Sequence, residues 1–121
     1  MAKYYLFDIM DYREILIPEK TSIKVGRGVG CDYRTLVKFS GISLEQFSIR
    51  NGDDLSIYVT NLDAQVSIYA GTDEVPFDRE ITNREPVFVG EYLTVNQDYQ
   101  FKILSENDYF KMRECGIPGR S

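Results

Sequence analysis

Asn51-Gly52 lies between two stretches in which polar and apolar residues alternate: Gln46-Phe47-Ser48-Ile49-Arg50 before it, and Leu55-Ser56-Ile57-Tyr58-Val59-Thr60 after it. A period of two is the pattern of a strand with one face buried. An Asn-Gly pair between two such strands is the strongest short-range hairpin signal, because both central positions of a type I′ turn require positive φ. The segment therefore predicts an antiparallel hairpin that turns at Asn51-Gly52, with both residues left-handed.

The same pattern recurs along the chain. Tyr4-Tyr5-Leu6-Phe7-Asp8-Ile9 reads as a strand, Asp11-Tyr12 as a turn, and Arg13-Glu14-Ile15-Leu16-Ile17 as a second strand closed by Pro18. Ser22-Ile23-Lys24-Val25 alternates and runs into Gly26-Arg27-Gly28-Val29-Gly30, a loop whose backbone must take unusual dihedrals or approach something closely. Thr35 to Phe39, Gln65 to Tyr69, Pro86 to Val89, Tyr92 to Val95 and Asp98 to Leu104 read as further strands, with a turn at Gly90-Glu91. Short strands at a spacing of roughly 8–12 residues, separated by turn signals, indicate an all-β antiparallel sandwich or barrel. The 16 tyrosines and phenylalanines suit a pleated, half-buried surface.

The last segment differs. Ser105 can cap a helix with Asp108 three residues on, and Tyr109, Phe110 and Met112 offer an apolar side before Gly116 and Pro118 stop it. This predicts a sandwich over residues 1–105, then a helix over 106–115 and a tail to residue 121. A chain of 121 residues fits one domain and can bury a core without disulfides or a structural metal.

Composition narrows the function. With no histidine, the chain lacks the usual general base, the usual metal ligand and every Ser-His or Cys-His nucleophile. Cys31 and Cys115 are too few for a cysteine-rich zinc site; two reduced thiols are expected, with a disulfide as the alternative. No segment reads as a signal peptide or approaches the ~20 apolar residues that span a bilayer, so a cytoplasmic domain is expected. The net charge of −5 argues against nucleic acid. The charge is uneven, however. Residues 20–50 carry six basic side chains against Asp32 and Glu45, a suitable setting for a single anionic group, though solvated strand edges would read the same way.

Two local patterns invite an enzymatic reading and fail it. The glycine run lacks the Lys-Ser or Lys-Thr pair and the following helix of a phosphate-binding loop, since Cys31-Asp32-Tyr33-Arg34 comes next. The acidic pairs Asp53-Asp54 and Asp73-Glu74 sit at turns, and adjacent strand residues point to opposite faces. No catalytic residue, metal site or cofactor is expected.

Four short motifs remain, in this order: Val25-Gly26-Arg27; Ile42-Ser43-Leu44-Glu45-Gln46; Thr60-Asn61-Leu62; and Val89-Gly90-Glu91-Tyr92-Leu93. Their order and spacing resemble those of a forkhead-associated (FHA) domain over about residues 3–104. The resemblance implies an eleven-stranded sandwich that holds a phosphothreonine on loops at one end. It matches Arg27 to the arginine that binds phosphate and Ser43 to the serine that donates to it. Ser67 would stand in for the threonine of the third motif, with Gly26, Gln46 and Asn61 in support. The departures are Leu44 for a basic residue, Gln46 for histidine, Glu91 for aspartate, and a shortened Asp63-Ala64-Gln65-Val66-Ser67 without Asn-Gly-Thr. They imply an eroded site, and thus a non-catalytic protein-interaction module that works largely without phosphate. The alternative is a phosphothreonine-peptide reader helped by Lys24, Arg34 or Lys38, and the remote alternative a small β-barrel enzyme or ligand carrier. Eroded copies of the family resemble FHA-like domains of bacterial secretion machinery, including type VII secretion ATPases. That likeness implies a protein or peptide partner within a larger secretion or signalling assembly.

Overall fold

A computed structural model describes residues 3–35, 41–52 and 56–115. Among these residues, eleven strands form two sheets. One contains β1 (Tyr4–Asp8), β2 (Arg13–Ile17), β7 (Ile68–Gly71), β8 (Arg79–Glu80), β10 (Tyr92–Val95) and β11 (Tyr99–Ser105), in the order β2-β1-β11-β10-β7-β8. The other contains β3 (Ile23–Gly26), β4 (Tyr33–Arg34), β5 (Phe47–Asn51), β6 (Ile57–Asn61) and β9 (Arg84–Val87), in the order β4-β3-β5-β6-β9. Among the described residues the pairings are antiparallel except that of β3 with β4. The sandwich is the expected fold class.

Alternation builds the core. Phe47, Ile49, Ile57 and Val59 point inward from β5 and β6, while their neighbours Ser48, Tyr58 and Thr60 remain partly exposed. Leu93 and Val95 of β10 and Tyr99, Phe101 and Ile103 of β11 meet them from the other sheet. Phe101 sits edge-on to Phe47, with ring centroids 5.5 Å apart, an arrangement favoured by the ring quadrupoles.

Near its end, β11 buries Ile103 and Leu104 in succession, so both faces are covered there. The second cover is α1 (Glu106–Cys115), whose Tyr109 and Met112 pack on Phe7 and Leu104. The Asp108 amide donates to Ser105 Oγ at 3.1 Å, the expected cap. Phe110 does not join this apolar side. One residue beyond Tyr109 it is rotated by about 100° and stays exposed. No helix among the described residues is long and apolar enough to cross a membrane.

The central hairpin forms but turns differently from the sequence expectation. Asn51 is the last residue of β5 and pairs with Ile57, so the connection spans 52–56. Neither Asn51 nor Gly52 is left-handed; among the described residues positive φ falls instead at Tyr12, Gly90, Asn96 and Gln97. The Asn51 amide donates to the Pro18 carbonyl at 2.8 Å, which holds the strand extended one residue into the local turn signal. Elsewhere β7 starts at Ile68 rather than Gln65, because the preceding residues fold on themselves, and β9 lies two residues earlier than expected. The two-residue β8 has too short a pattern to be read. Of the strand expected at Thr35 to Phe39, residues 36–39 lie outside the described residues, while the strand pairing with β3 is Tyr33–Arg34.

Candidate functional site

The ends of β3, β5 and β6 coincide. Val25 pairs with Phe47 and Phe47 with Asn61, so Gly26, Gln46 and Leu62 lie side by side at this end of the sheet. The Gln46 amide donates to the Val25 carbonyl and the Leu62 amide to the Gln46 carbonyl, both at 2.9 Å, so backbone pairing continues past the strand limits. Beyond this point the Arg27 amide donates to the Ser43 carbonyl (3.0 Å) and the Gly28 amide to the Leu44 carbonyl (2.9 Å). The glycine run is what permits this docking. A methyl group at Gly26 would collide with the Leu44 carbonyl, and one at Gly28 would lie 2.8 Å from the same oxygen.

Arg27, Ser43, Leu44, Glu45, Leu62 and Asp63 line the resulting concavity. Arg27 is oriented by its Nε, which donates to the Ile42 carbonyl at 2.5 Å. Among the described residues no carboxylate forms an ion pair with Arg27, and its Nη groups have no hydrogen-bond partner there. Ser43 is already engaged: its hydroxyl donates to Asp63 Oδ2. That bond, followed by the Gln65 amide on Asp63 Oδ1 (3.0 Å), holds the Asp63 carboxyl below the usual carboxylate range.

Gln46 and Asn61 form the frame beneath. Fully buried Gln46 accepts the Ser43 amide on Oε1 (3.0 Å) and donates from Nε2 to Asn61 Oδ1 (3.1 Å). Asn61 Oδ1 also accepts the Asp63 amide (3.1 Å), and its Nδ2 donates to the Val66 carbonyl (3.1 Å). Buried polar groups satisfied in this way fix the two loops relative to one another.

Arg27, Ser43, Gly26, Gln46 and Asn61 are thus brought together at one end of the sandwich. Ser67 is not: it is half-buried at the entry to β7, where its carbonyl accepts the Asn96 amide, and it does not line the concavity. Lys24 is spoken for by Glu45 (3.4 Å), and Arg34 Nε donates to the Arg27 carbonyl (3.3 Å). Lys38 lies outside the described residues. Glu91, matched to the aspartate of the late turn, is a brace remote from the concavity: its carboxylate takes both Arg79 Nη groups at 2.7 Å and the Phe88 amide at 2.8 Å. Sequence reasoning missed Asp63 as a site residue. Its only local signal is the Asn61-Leu62-Asp63 spacing, which suits an Asx turn. Among the described residues no cluster of acidic and cysteine side chains could hold a metal ion.

No family model matches the sequence, and no curated protein matches it. Solved structures do resemble the fold. The FHA domain of the CT664 protein from Chlamydia trachomatis superposes with a TM-score of 0.70 at 14% identity, covering 84% of this chain and 96% of that one. The N-terminal FHA domain of S. cerevisiae Rad53p, in complex with a phosphothreonine peptide, gives 0.68 at 14% identity, covering 93% and 98%. The FhaA FHA domain, complexed with the intracellular domain of Rv3910, gives 0.63 at 14% identity, covering 85% and 99%. The eleven-stranded sandwich, with Arg27 and Ser43 on loops that meet at one end, is the forkhead-associated fold.

Proposed function

We propose that this chain is a non-catalytic protein-interaction module that engages a protein or peptide through the loop end carrying Arg27 and Ser43, largely independently of phosphate. One observation carries the reading: the Ser43 hydroxyl is bonded to a carboxylate of the chain itself. A phosphate oxygen would have to displace that acceptor while carrying further negative charge toward it. Around the concavity Leu44 and Leu62 are 59% and 43% exposed, and Val29, on the Arg27 loop, is 86% exposed. They give this end of the sandwich exposed apolar surface, which an apolar group of a partner can cover.

The phosphothreonine-reading alternative rests on a different observation, the Nη groups of Arg27, unpaired among the described residues, together with the peptide bound by the Rad53p domain. Titration with phosphothreonine and unphosphorylated peptide libraries, followed by amide chemical shifts, separates the two. Equal shifts at residues 27–31, 41–46 and 61–67 are expected. A tenfold or greater preference for the phosphorylated library overturns the proposal. Placement in a cytoplasmic secretion or signalling assembly belongs to the same proposal, and co-purification of the tagged full-length protein from its own cells tests it.

A further inference from the structure

We propose that Asp63 is a built-in anion, whose carboxylate occupies the Ser43 hydroxyl needed by an incoming phosphate and so sets the site against phosphorylated partners. This rests on the reading above and assigns its cause to one residue. The concavity otherwise keeps two of the features that suit a phosphate. Arg27 is held by its Nε against the Ile42 carbonyl, with its Nη groups unpaired among the described residues, and Ser43 stands in the same concavity. A guanidinium and a hydroxyl are the donors that a phosphate dianion seeks. Two acids line the concavity; Glu45 is paired with Lys24 at 3.4 Å, whereas Asp63 sits on the Ser43 hydroxyl itself and is the one that opposes a phosphate there.

The carboxylate is not a swinging surface group. The Asp63 amide is pinned to Asn61 Oδ1, and Asn61 is itself tied to buried Gln46 and to the Val66 carbonyl. On the other side, the Gln65 amide fixes Oδ1 and the Ser43 hydroxyl engages Oδ2. With the backbone anchored at its amide, turning the carboxylate away would break both hydrogen bonds that it accepts, from the Ser43 hydroxyl and the Gln65 amide. A dianion entering beside it meets a like charge that is held in place. A hydroxyl, amide or apolar group on an unphosphorylated partner meets no such penalty.

The isosteric variant Asp63→Asn removes the charge while keeping an oxygen for the Gln65 amide, and its new NH₂ can donate to phosphate. Wild-type protein, Asp63→Asn, and the double variant Asp63→Asn with Arg27→Ala are titrated with phosphothreonine and unphosphorylated peptide libraries. Asp63→Ser serves as a second charge-removing variant should Asp63→Asn lose its native amide spectrum. The expected result is no phosphate preference in wild type, a gain of at least tenfold for the phosphorylated library in Asp63→Asn, and loss of that gain in the double variant. A folded Asp63 variant with no gain overturns the inference and leaves the proposed function standing. A gain that survives Arg27→Ala places the phosphate elsewhere and overturns the inference as well. Wild-type protein that already prefers the phosphorylated library overturns both.

Discussion

Asp8 is 1% exposed and has no cation bonded to it among the described residues; four donors satisfy its carboxylate instead. Tyr33 and Tyr99 hydroxyls donate to Oδ2 at 2.6 and 2.5 Å, and the Met10 and Asp11 amides to Oδ1 at 3.0 and 3.2 Å. Burial, then the bond to Asp8, raises both phenols far above their ordinary range, so they stay protonated as donors. The knot joins β1 and β11 of one sheet to β4 of the other, and the β1–β2 turn closes over it. Asp8→Ala would leave two buried hydroxyls without this acceptor, each costing about 1–3 kcal/mol. A loss of about 2–5 kcal/mol is expected in urea unfolding, whereas Tyr99→Phe, which removes only one of four donors, is expected to cost about 1 kcal/mol. A neutral Asp8→Ala would mean that the knot contributes nothing.

At the scale of elements, the Arg79–Glu91 pair ties β8 to the turn between β9 and β10. Arg79 also donates to the Pro86 carbonyl at 2.9 Å, and Gly90, at φ 92°, makes the turn that returns the chain into β10. Burial alone would push the Glu91 carboxyl up. The paired Arg79 guanidinium and the Phe88 amide outweigh it, so Glu91 lies below its ordinary value of 4.5. A carboxyl with a depressed folded pKa adds stability above its unfolded pKa and loses it as pH falls through the folded value. The melting temperature is therefore expected to fall as pH drops from about 5 toward 2, part of that slope belonging to Glu91. Glu91→Gln is expected to lower stability at pH 7 and to flatten the acid limb. An acid limb identical to wild type would sink this account. Local signals were good enough here to place the Gly90 turn, but not the ion pair, because Arg79 and Glu91 are twelve residues apart and meet only through sheet pairing.

For the whole molecule, α1 is a second cover on the six-stranded sheet rather than a loose appendage. Tyr109 stacks on Tyr5 with centroids 4.2 Å apart, and its hydroxyl donates to Glu14 Oε1 at 2.8 Å. Phe7 and Leu104, buried on the outer face, depend on this helix for shelter. Tyr109→Ala removes a large, mostly buried ring, a change that costs on the order of 3 kcal/mol in comparable cores. Calorimetry is expected to record one transition at a lower temperature. An unchanged transition would mean that the helix does not stabilise the sandwich.

The sequence by itself determined the class of fold, the positions of most strands, the helix with its Ser105 cap, and the glycine run beside Arg27. These are local properties: period-two alternation, turn chemistry and capping act over a few residues. Tertiary structure decided the rest. It kept Asn51 in β5 by bonding its amide to Pro18, left Phe110 outside the helix interface, and set Ser67 apart from the concavity. Above all it placed Asp63 on Ser43, twenty residues away in the chain, because the register of β3, β5 and β6 brings their ends together. No local pattern encodes that contact. It exists only once two hairpin ends are aligned and the Gln46–Asn61 frame holds their loops at hydrogen-bonding distance.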